Sequence, residues 1–215
     1  MLRGFFLALC LPWTGAAAAQ EAAVASFEPG SHGEAFAVQG LMQGCAEAEM
    51  SGCMFYAEGV RWAVTRGAGG NDAAIDAMAA LPVNAPVFVI GDMISMGDIT
   101  VDALISKLEP GPPDAYAVQR EAMQGDWVSA DDPLAKLSVV GSEETAIHDG
   151  ESLTVSVVTF ADTCPGGEPM GTVIFEQEMG GDPTDLPCFA VLDITQERME
   201  LAYVGRGNTL VYLRD

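Results

Sequence analysis

The sequence predicts a mainly β protein of two barrels, in which a five-stranded barrel with one helix precedes an antiparallel meander barrel. Short β-branched and apolar runs, separated by Gly- and Pro-rich turns, recur along most of the chain. One stretch in the first half has the composition of a helix, and the second half shows almost no helical period. Three prolines and a glycine within 109–114 divide the chain, because these residues continue neither a ladder nor a helix.

Residues 1–19 have the pattern of a secretory signal peptide. Arg3 gives a positive start, an apolar run follows over 4–13, and small residues at 16–19 suit cleavage. Pro12 interrupts the apolar run, which is too short for a permanent transmembrane helix. We therefore predict a periplasmic or secreted protein without a membrane span.

The cysteine pattern predicts two disulfide bonds. Cys10 falls in the leader, which leaves an even number of cysteines in a compartment that permits disulfides. Four cysteines allow three connectivities, and proximity favours Cys45 with Cys53, leaving Cys164 for Cys188. A zinc site is the competing interpretation, but the chain has no Cys-x-x-Cys pair and neither histidine is close to a cysteine in sequence. We predict no metal site.

The charge of the chain bears on its partners. It carries 31 acidic and 9 basic side chains, a formal net charge of −22 at pH 7. Nucleic-acid binding needs clustered Lys and Arg, so this charge argues against a nucleic-acid partner. The acidic residues are spread along the chain, as is typical of a solvated acidic surface, although the same field would attract a cationic partner. The spacing does not distinguish these two interpretations.

The first half, 27–110, predicts five strands with a helix between the third and the fourth. Asn71 or Asp72 can cap that helix, which is rich in alanine. A linker, 111–122, follows this domain, with a short helix or connector beginning at Ala115. The predicted strands are 34–42, 53–58, 60–65, 86–92 and 99–105, and the predicted helix is 73–81.

This order of elements, together with the segments 84–92 and 98–105, resembles the small OB-fold modules of exported bacterial proteins. The two segments are similar to the final hairpin of such folds, and the resemblance implies a binding face on strands two and three. Two interpretations of this face compete. In the first, it binds single-stranded nucleic acid or a sugar; in the second, its aromatic side chains belong to the core and its arginines pair with nearby acidic residues. The net charge of the chain favours the second. That face would carry Phe55, Tyr56, Arg61, Trp62 and Arg66.

The second half, 123–215, predicts a strictly sequential set of hairpins. Asp149-Gly150 is a strong two-residue hairpin signal, and 205–208 contains turn residues that tolerate positive φ. Such a meander closes most naturally into an up-and-down barrel, which removes exposed edges. The predicted strands are 127–130, 137–140, 145–148, 153–160, 172–178, 189–194, 201–204 and 209–213.

The Gly125-Asp126-Trp127 sequence at the first of these strands and Arg214 at the last resemble the lipocalin pattern of Gly-x-Trp with a closing arginine. The resemblance implies that Trp127 plugs one end of the barrel and that Arg214 stacks on it, a structural role. A strict meander places Cys164 and Cys188 at opposite ends of the barrel. Their bridge therefore requires 172–178 to be short or 180–187 to fold back.

The chain offers little catalytic chemistry. His32 and His148 are its only histidines, and we predict both to be solvent-exposed. With the cysteines paired, no thiol nucleophile remains, and acidic pairs such as Asp92 with Asp98 are expected by chance in so acidic a chain. We predict that the protein is not an enzyme and needs no cofactor.

Two functions from different classes fit these observations. The first is an exported, non-catalytic binding protein for a small apolar ligand or a cell-envelope component. The alternative is an acidic inhibitor or interaction partner of a cationic protein, such as a lysozyme or a protease. The first predicts an apolar cavity in the second barrel, whereas the second predicts a filled barrel and salt-sensitive association.

Overall fold

A computed structural model of the chain describes residues 27–46, 52–69, 71–97, 99–182 and 184–215. The predicted leader, 1–19, and Cys10 lie outside the described residues. The protein is mainly β: of the described residues, 58% lie in strands and 8% in two helices. A closed five-stranded barrel is followed by a closed eight-stranded antiparallel barrel. The predicted fold class is confirmed.

The first barrel has the strand order β1-β2-β3-β5-β4, closed by β1 pairing with β4. Its helix lies between β3 and β4, and β3 pairs with β5 in parallel while the other pairs are antiparallel. This arrangement is compatible with an OB-like barrel. The elements are β1 (Glu34–Ala46), β2 (Gly52–Ala57), β3 (Val60–Thr65), α1 (Asp72–Ala79), β4 (Pro86–Met96) and β5 (Thr100–Pro110).

Helix α1 packs its small and apolar side chains, Ala74, Ile75 and Met78, into the first core. The predicted side-chain cap is wrong, because Asn71 occupies the N-cap position without a capping hydrogen bond. Its amide instead donates to the carbonyl of Ala103 at 3.0 Å and accepts from the N–H of Ile105 at 2.9 Å. Asn71 therefore holds the start of α1 against β5.

Strands β4 and β5 are longer than the sequence predicted, and β5 continues into the proline cluster. Pro110 pairs with Val87 at the last position of β5, where its lack of an N–H group does not interrupt the hydrogen-bond ladder of the sheet. Gly91 lies where the two strands approach most closely, since a Cβ there would come 1.9 Å from the carbonyl oxygen of Leu104.

The second barrel is an up-and-down meander in which each strand pairs with its sequence neighbours and β13 closes on β6. Asp149 and Gly150 form the predicted tight hairpin, with φ values of 51° and 80°. A short helix, α2 (Ala117–Met123), precedes the barrel. The strands are β6 (Gly125–Ser129), β7 (Ala135–Val140), β8 (Glu143–His148), β9 (Glu151–Thr163), β10 (Pro169–Glu178), β11 (Cys188–Ile194), β12 (Arg198–Tyr203) and β13 (Thr209–Arg214).

The two barrels contact each other through polar and apolar groups. Gln43 on β1 is 8% exposed. Its side chain donates to the carbonyl of Val140 at 2.7 Å and accepts from the N–H of Ser142 at 2.9 Å. Tyr56 donates to Glu143 and also packs with Ile99, Val157 and Met179. The domain boundaries that the sequence suggests, 27–110, 111–122 and 123–215, stay predictions.

The structure contains the disulfide bonds Cys45–Cys53 and Cys164–Cys188. In the second barrel, the segment after β10 folds back, so that the N–H of Glu176 donates to the carbonyl of Pro187 at 2.9 Å. This fold-back brings Cys188 to the end of β9. Within the part of the chain that the structure describes, neither helix has the length and apolar character needed to cross a membrane.

Candidate functional site

An acidic cavity of about 140 Å³ opens at one end of the second barrel. Glu176 and Glu178 on β10 are two residues apart and therefore lie on one side of the strand. Buried Ile174 lies on that same side, which makes it the inner side of the barrel. The lining residues are Thr154, Ser156, Glu176, Glu178, Asp182, Asp185 and Pro187.

The loop between β10 and β11 forms the outer wall of this cavity. Asp182 accepts hydrogen bonds from the N–H of Thr184 at 2.9 Å and from its hydroxyl at 2.7 Å. The N–H of Asp185 donates to the carbonyl of Asp182 at 3.1 Å. These contacts, with the disulfide at the start of β11, hold two acidic residues of the loop beside Glu176.

A further glutamate, Glu144 on β8, lies in the barrel interior next to this cavity. It is 5% exposed. It is also the cross-strand partner of Ser156, which lines the cavity. Its Oε2 atom has no hydrogen-bond partner among the described residues. A buried acceptor without a partner costs free energy, so Glu144 has unused capacity to accept a hydrogen bond.

The pKa values of the acidic side chains in the barrel interior are raised. Burial raises the pKa of Glu144 well above its ordinary value, and the nearby charge of Glu176 raises it further. Burial also raises the pKa of Glu176, to about 7. Tyr212 on β13 has its pKa raised to about 12 by burial first and then by the charges of these two glutamates. The three side chains therefore share one poorly solvated region inside the barrel.

These acids have no basic partner in the structure. None of the ion pairs formed within the described ranges includes Glu144, Glu176, Glu178, Asp182 or Asp185. In those same ranges, no group of three or more His, Cys, Asp or Glu side chains is arranged to hold a metal ion. The cavity wall is therefore acidic, and none of its described acidic side chains is paired with a basic one.

The opposite end of the barrel is closed by the residues that the lipocalin resemblance singled out. Trp127 is fully buried and donates its indole N–H to the carbonyl of Met123 at 2.8 Å. The guanidinium of Arg214 lies over the Trp127 ring, 3.9 Å from its centroid. Arg214 also donates to the carbonyls of Ala122 and Gln124, which ties α2 across this end.

The apolar part of the interior is occupied by the barrel's own side chains. Ile174, Met199 and Leu201 are fully or almost fully buried together with Trp127. Phe160 and Phe189 complete this cluster. The barrel interior is thus divided between a filled apolar region and the acidic cavity.

The OB-like face does not present stacking aromatics to solvent. Phe55 and Trp62 are buried in the first core. Arg61 pairs with Glu143 across the inter-barrel contact at 3.0 Å, and Arg66 pairs with Asp76 at 2.6 Å. The structure therefore brings these residues into a core with paired arginines, and it does not assemble them into a binding surface.

The remaining candidates for chemistry have local roles. His32 and His148 are exposed, and His148 lies 3.3 Å from Asp132. Asp92 accepts from the backbone N–H groups of Gly30 and His32, which fixes the segment before β1. Asp98, with which Asp92 forms an acidic pair in sequence that is expected by chance, lies outside the described residues.

Sequence reasoning missed Glu144 and Glu176, the two acids on which the site depends. The available signal was strand parity, because Glu176 shares the inner side of β10 with Ile174. Glu144 shares the inner side of β8 with Ala146, which packs against the core. An acid at a core position is unusual, but among 31 acidic residues this signal is easily overlooked.

A cavity between the two barrels, of about 170 Å³, is a weaker candidate. Arg120 lines it, but Arg120 is already paired with Asp114 at 2.8 Å and lies over the ring of Phe160. Its other walls are mostly backbone and neutral side chains, including Gln39 and Leu41. Glu58 is the acidic residue of its lining, so this cavity has less acidic character than the cavity at the barrel end, which is lined by Glu176, Glu178, Asp182 and Asp185.

A scan against protein-family models, a search of curated proteins and a search of solved structures each returned no match.

Proposed function

We propose that this is an exported, non-catalytic binding protein whose second barrel holds a small, positively charged ligand in the acidic cavity. The observation that carries the proposal is the group of unpaired carboxylates around a cavity with Glu144 buried beside it. In a poorly solvated region, a positive charge interacts with carboxylates more strongly than it does in water. A cationic ligand would also supply the hydrogen-bond donor that Glu144 lacks.

The ligand in this proposal differs from the small apolar molecule that the composition suggested. The apolar interior is occupied by Ile174, Met199 and Leu201, which favours a ligand bound through its charge. The cavity is also smaller than the ~300–1,000 Å³ pockets that hold drug-sized molecules. A cell-envelope component would fit this proposal through a short cationic group.

Export and fold type belong to the same proposal. The leader pattern of 1–19 and the two disulfides support a periplasmic or secreted location. The strand order of the first barrel supports an OB type. The meander, with Arg214 stacked on Trp127, supports a lipocalin type for the second.

Native mass spectrometry of the protein, expressed with its own leader and collected from the periplasm, tests the proposed function. We expect excess mass in the native spectrum that is lost on denaturation, and we expect the released molecule to carry a basic group. A neutral apolar molecule would contradict the cationic-ligand proposal. A bare polypeptide with two disulfides, which also fails to bind short amines added to it, would contradict small-ligand binding altogether.

The alternative, an inhibitor or partner of a cationic protein, is favoured by a separate observation. Glu178, Asp182 and Asp185 are exposed at the mouth of the acidic cavity, on a chain whose net charge is −22. Association with a cationic protein such as lysozyme would weaken steeply as salt rises from low to physiological concentration, because screening removes long-range steering. Salt-insensitive association, or none, would contradict this alternative.

A further inference from the structure

Two carboxyl groups lie close together at the inner wall of the cavity: Glu176 lines it, and Glu144 lies in the adjoining barrel interior. Glu144 is almost completely buried and has an oxygen without a partner, and Glu176 is only partly exposed at the cavity wall. The hydroxyl-bearing side chain of Ser156 is the cross-strand neighbour of Glu144 and lines the same cavity. The site therefore offers several oxygen acceptors and, within the described residues, no charged donor.

Two kinds of species can satisfy such a pair: a proton or a bound cation. A calcium ion typically takes six to eight oxygen ligands, and no metal-ligating group of three acidic, His or Cys side chains occurs among the described residues. A primary ammonium group carries three N–H donors and one positive charge. The three donors of the ammonium group match the carboxyl oxygens of Glu144 and Glu176 and the hydroxyl of Ser156, and they need no full coordination sphere.

We propose that Glu144 and Glu176 together bind the protonated amino group of a short primary amine, in exchange for a proton that the empty pair holds. This inference rests on the proposed function, because it assigns the ligand class and the binding residues of the same cavity. The exchange is balanced, since the ammonium enters with its positive charge and the displaced proton leaves to solvent. The cavity of about 140 Å³ limits the ligand to a short chain.

The titratable groups that surround the pair are all acidic, and the other surrounding side chains are uncharged. Glu178 on β10 and Asp182 and Asp185 in the following loop face the cavity, and Tyr212 on β13 faces the pair from across the barrel. The other neighbouring strands contribute uncharged residues. These are Val139 on β7, Thr154, Ser156 and Val158 on β9, and Pro187 before β11. No side chain among these supplies a positive charge that would compete with an amine.

The test compares butylamine with its neutral counterpart butan-1-ol, by titration calorimetry and ligand-observed NMR at pH 6. We expect the wild type to bind butylamine and not butan-1-ol. Removing one partner of a buried charge pair costs at least about 2 kcal/mol, so E144Q and E176Q should each weaken butylamine binding by about 30-fold or more. In buffers of different ionisation enthalpy, the wild type should release up to one proton for each amine bound.

The matched control is E197Q, which removes the same charge from an exposed residue in the loop between β11 and β12, at the opposite end of the barrel. It should bind butylamine as the wild type does. Circular dichroism checks that each variant is folded. Gln is close to Glu in size and leaves no buried charge, so folding is expected.

The outcomes separate this inference from the proposed function. Equal butylamine affinity in E144Q, E176Q and wild type would overturn the inference. Binding would then be assigned to the exposed acids at the mouth of the cavity. Calcium binding that depends on Glu144, with no amine binding, would overturn it in favour of a metal. A native complex with a different cationic ligand, together with no butylamine binding, would also overturn the inference while the proposed function stands.

Discussion

The buried acids predict that the protein loses stability as pH rises towards neutrality. Burial raises the pKa of Glu176 from 4.5 to about 7. An acid whose folded-state pKa is raised binds its proton more tightly in the folded state than in the unfolded state. Its stabilising contribution is fully present below the unfolded pKa and disappears as pH rises through the folded pKa. The relevant window therefore runs from about pH 4.5 to just above 7.

The size of the effect follows from the shift. Each pKa unit corresponds to about 1.4 kcal/mol, so Glu176 alone lowers the free energy of unfolding by about 3 kcal/mol across the window. Glu144 acts in the same direction, because its pKa is raised as well. The E176Q variant stays neutral at every pH. It should therefore lose about 3 kcal/mol less stability between pH 5 and pH 8 than the wild type does.

Urea unfolding followed by tryptophan fluorescence at pH 5 and pH 8 measures this difference. The control is again E197Q, which separates loss of a buried carboxyl from the general decrease in negative charge. We expect E197Q to keep nearly the whole pH dependence of the wild type. If E176Q and E197Q lose the same stability between the two pH values, Glu176 does not titrate in a buried environment and the reasoning fails.

Three further predictions concern stability. R214A removes the guanidinium that stacks on Trp127 together with its hydrogen bonds to backbone carbonyls. The free energy of unfolding, measured by urea denaturation, should fall by about 2–3 kcal/mol. A loss below about 1 kcal/mol would contradict a structural role for this side chain. Q43A removes both hydrogen bonds from Gln43 to the second barrel and should lower the free energy of unfolding by about 2 kcal/mol. In calorimetry, the two barrels of this variant should unfold in separate thermal transitions. A single transition, unchanged from the wild type, would argue against coupling of the barrels through Gln43. Replacing Cys164 and Cys188 with alanine opens a loop with a sequence separation of 24 and should cost about 3 kcal/mol; reduction of the wild type, which also breaks Cys45–Cys53, should cost at least as much.

Strand alternation and turn chemistry predicted most of the architecture. The eight strands of the second barrel follow from apolar alternation, and the Asp149-Gly150 turn follows from residues that tolerate positive φ. The stacking of Arg214 on Trp127 was expected only from the resemblance to the lipocalin pattern, whose two parts lie in the first and the last strand of this barrel. The strands and the turn depend on local rules, which a single sequence contains.

Features that depend on contacts distant in sequence were not predicted. Asn71 has the residue type and position of a helix cap. Its side-chain amide instead forms hydrogen bonds with two buried backbone groups of β5, and it makes no capping hydrogen bond to α1. The environment of Glu144 depends on Glu176 and Tyr212, which belong to strands far along the chain. Local pattern places Glu144 on the inner side of β8, but only the closed barrel shows that no basic side chain of the described residues pairs with it there.

The contrast between the two ends of the second barrel is the physical argument for a ligand site. At the Trp127 end, buried polar groups have partners and the core is filled, as stability alone requires. At the acidic cavity, by contrast, Glu176 is placed where its charge is costly, and Glu144 in the adjoining interior keeps an oxygen without a partner among the described residues. Replacing either with an apolar residue would remove that cost, so stability does not explain their presence. A bound ammonium group would supply hydrogen-bond donors to both carboxyl groups and would offset the cost of burying them.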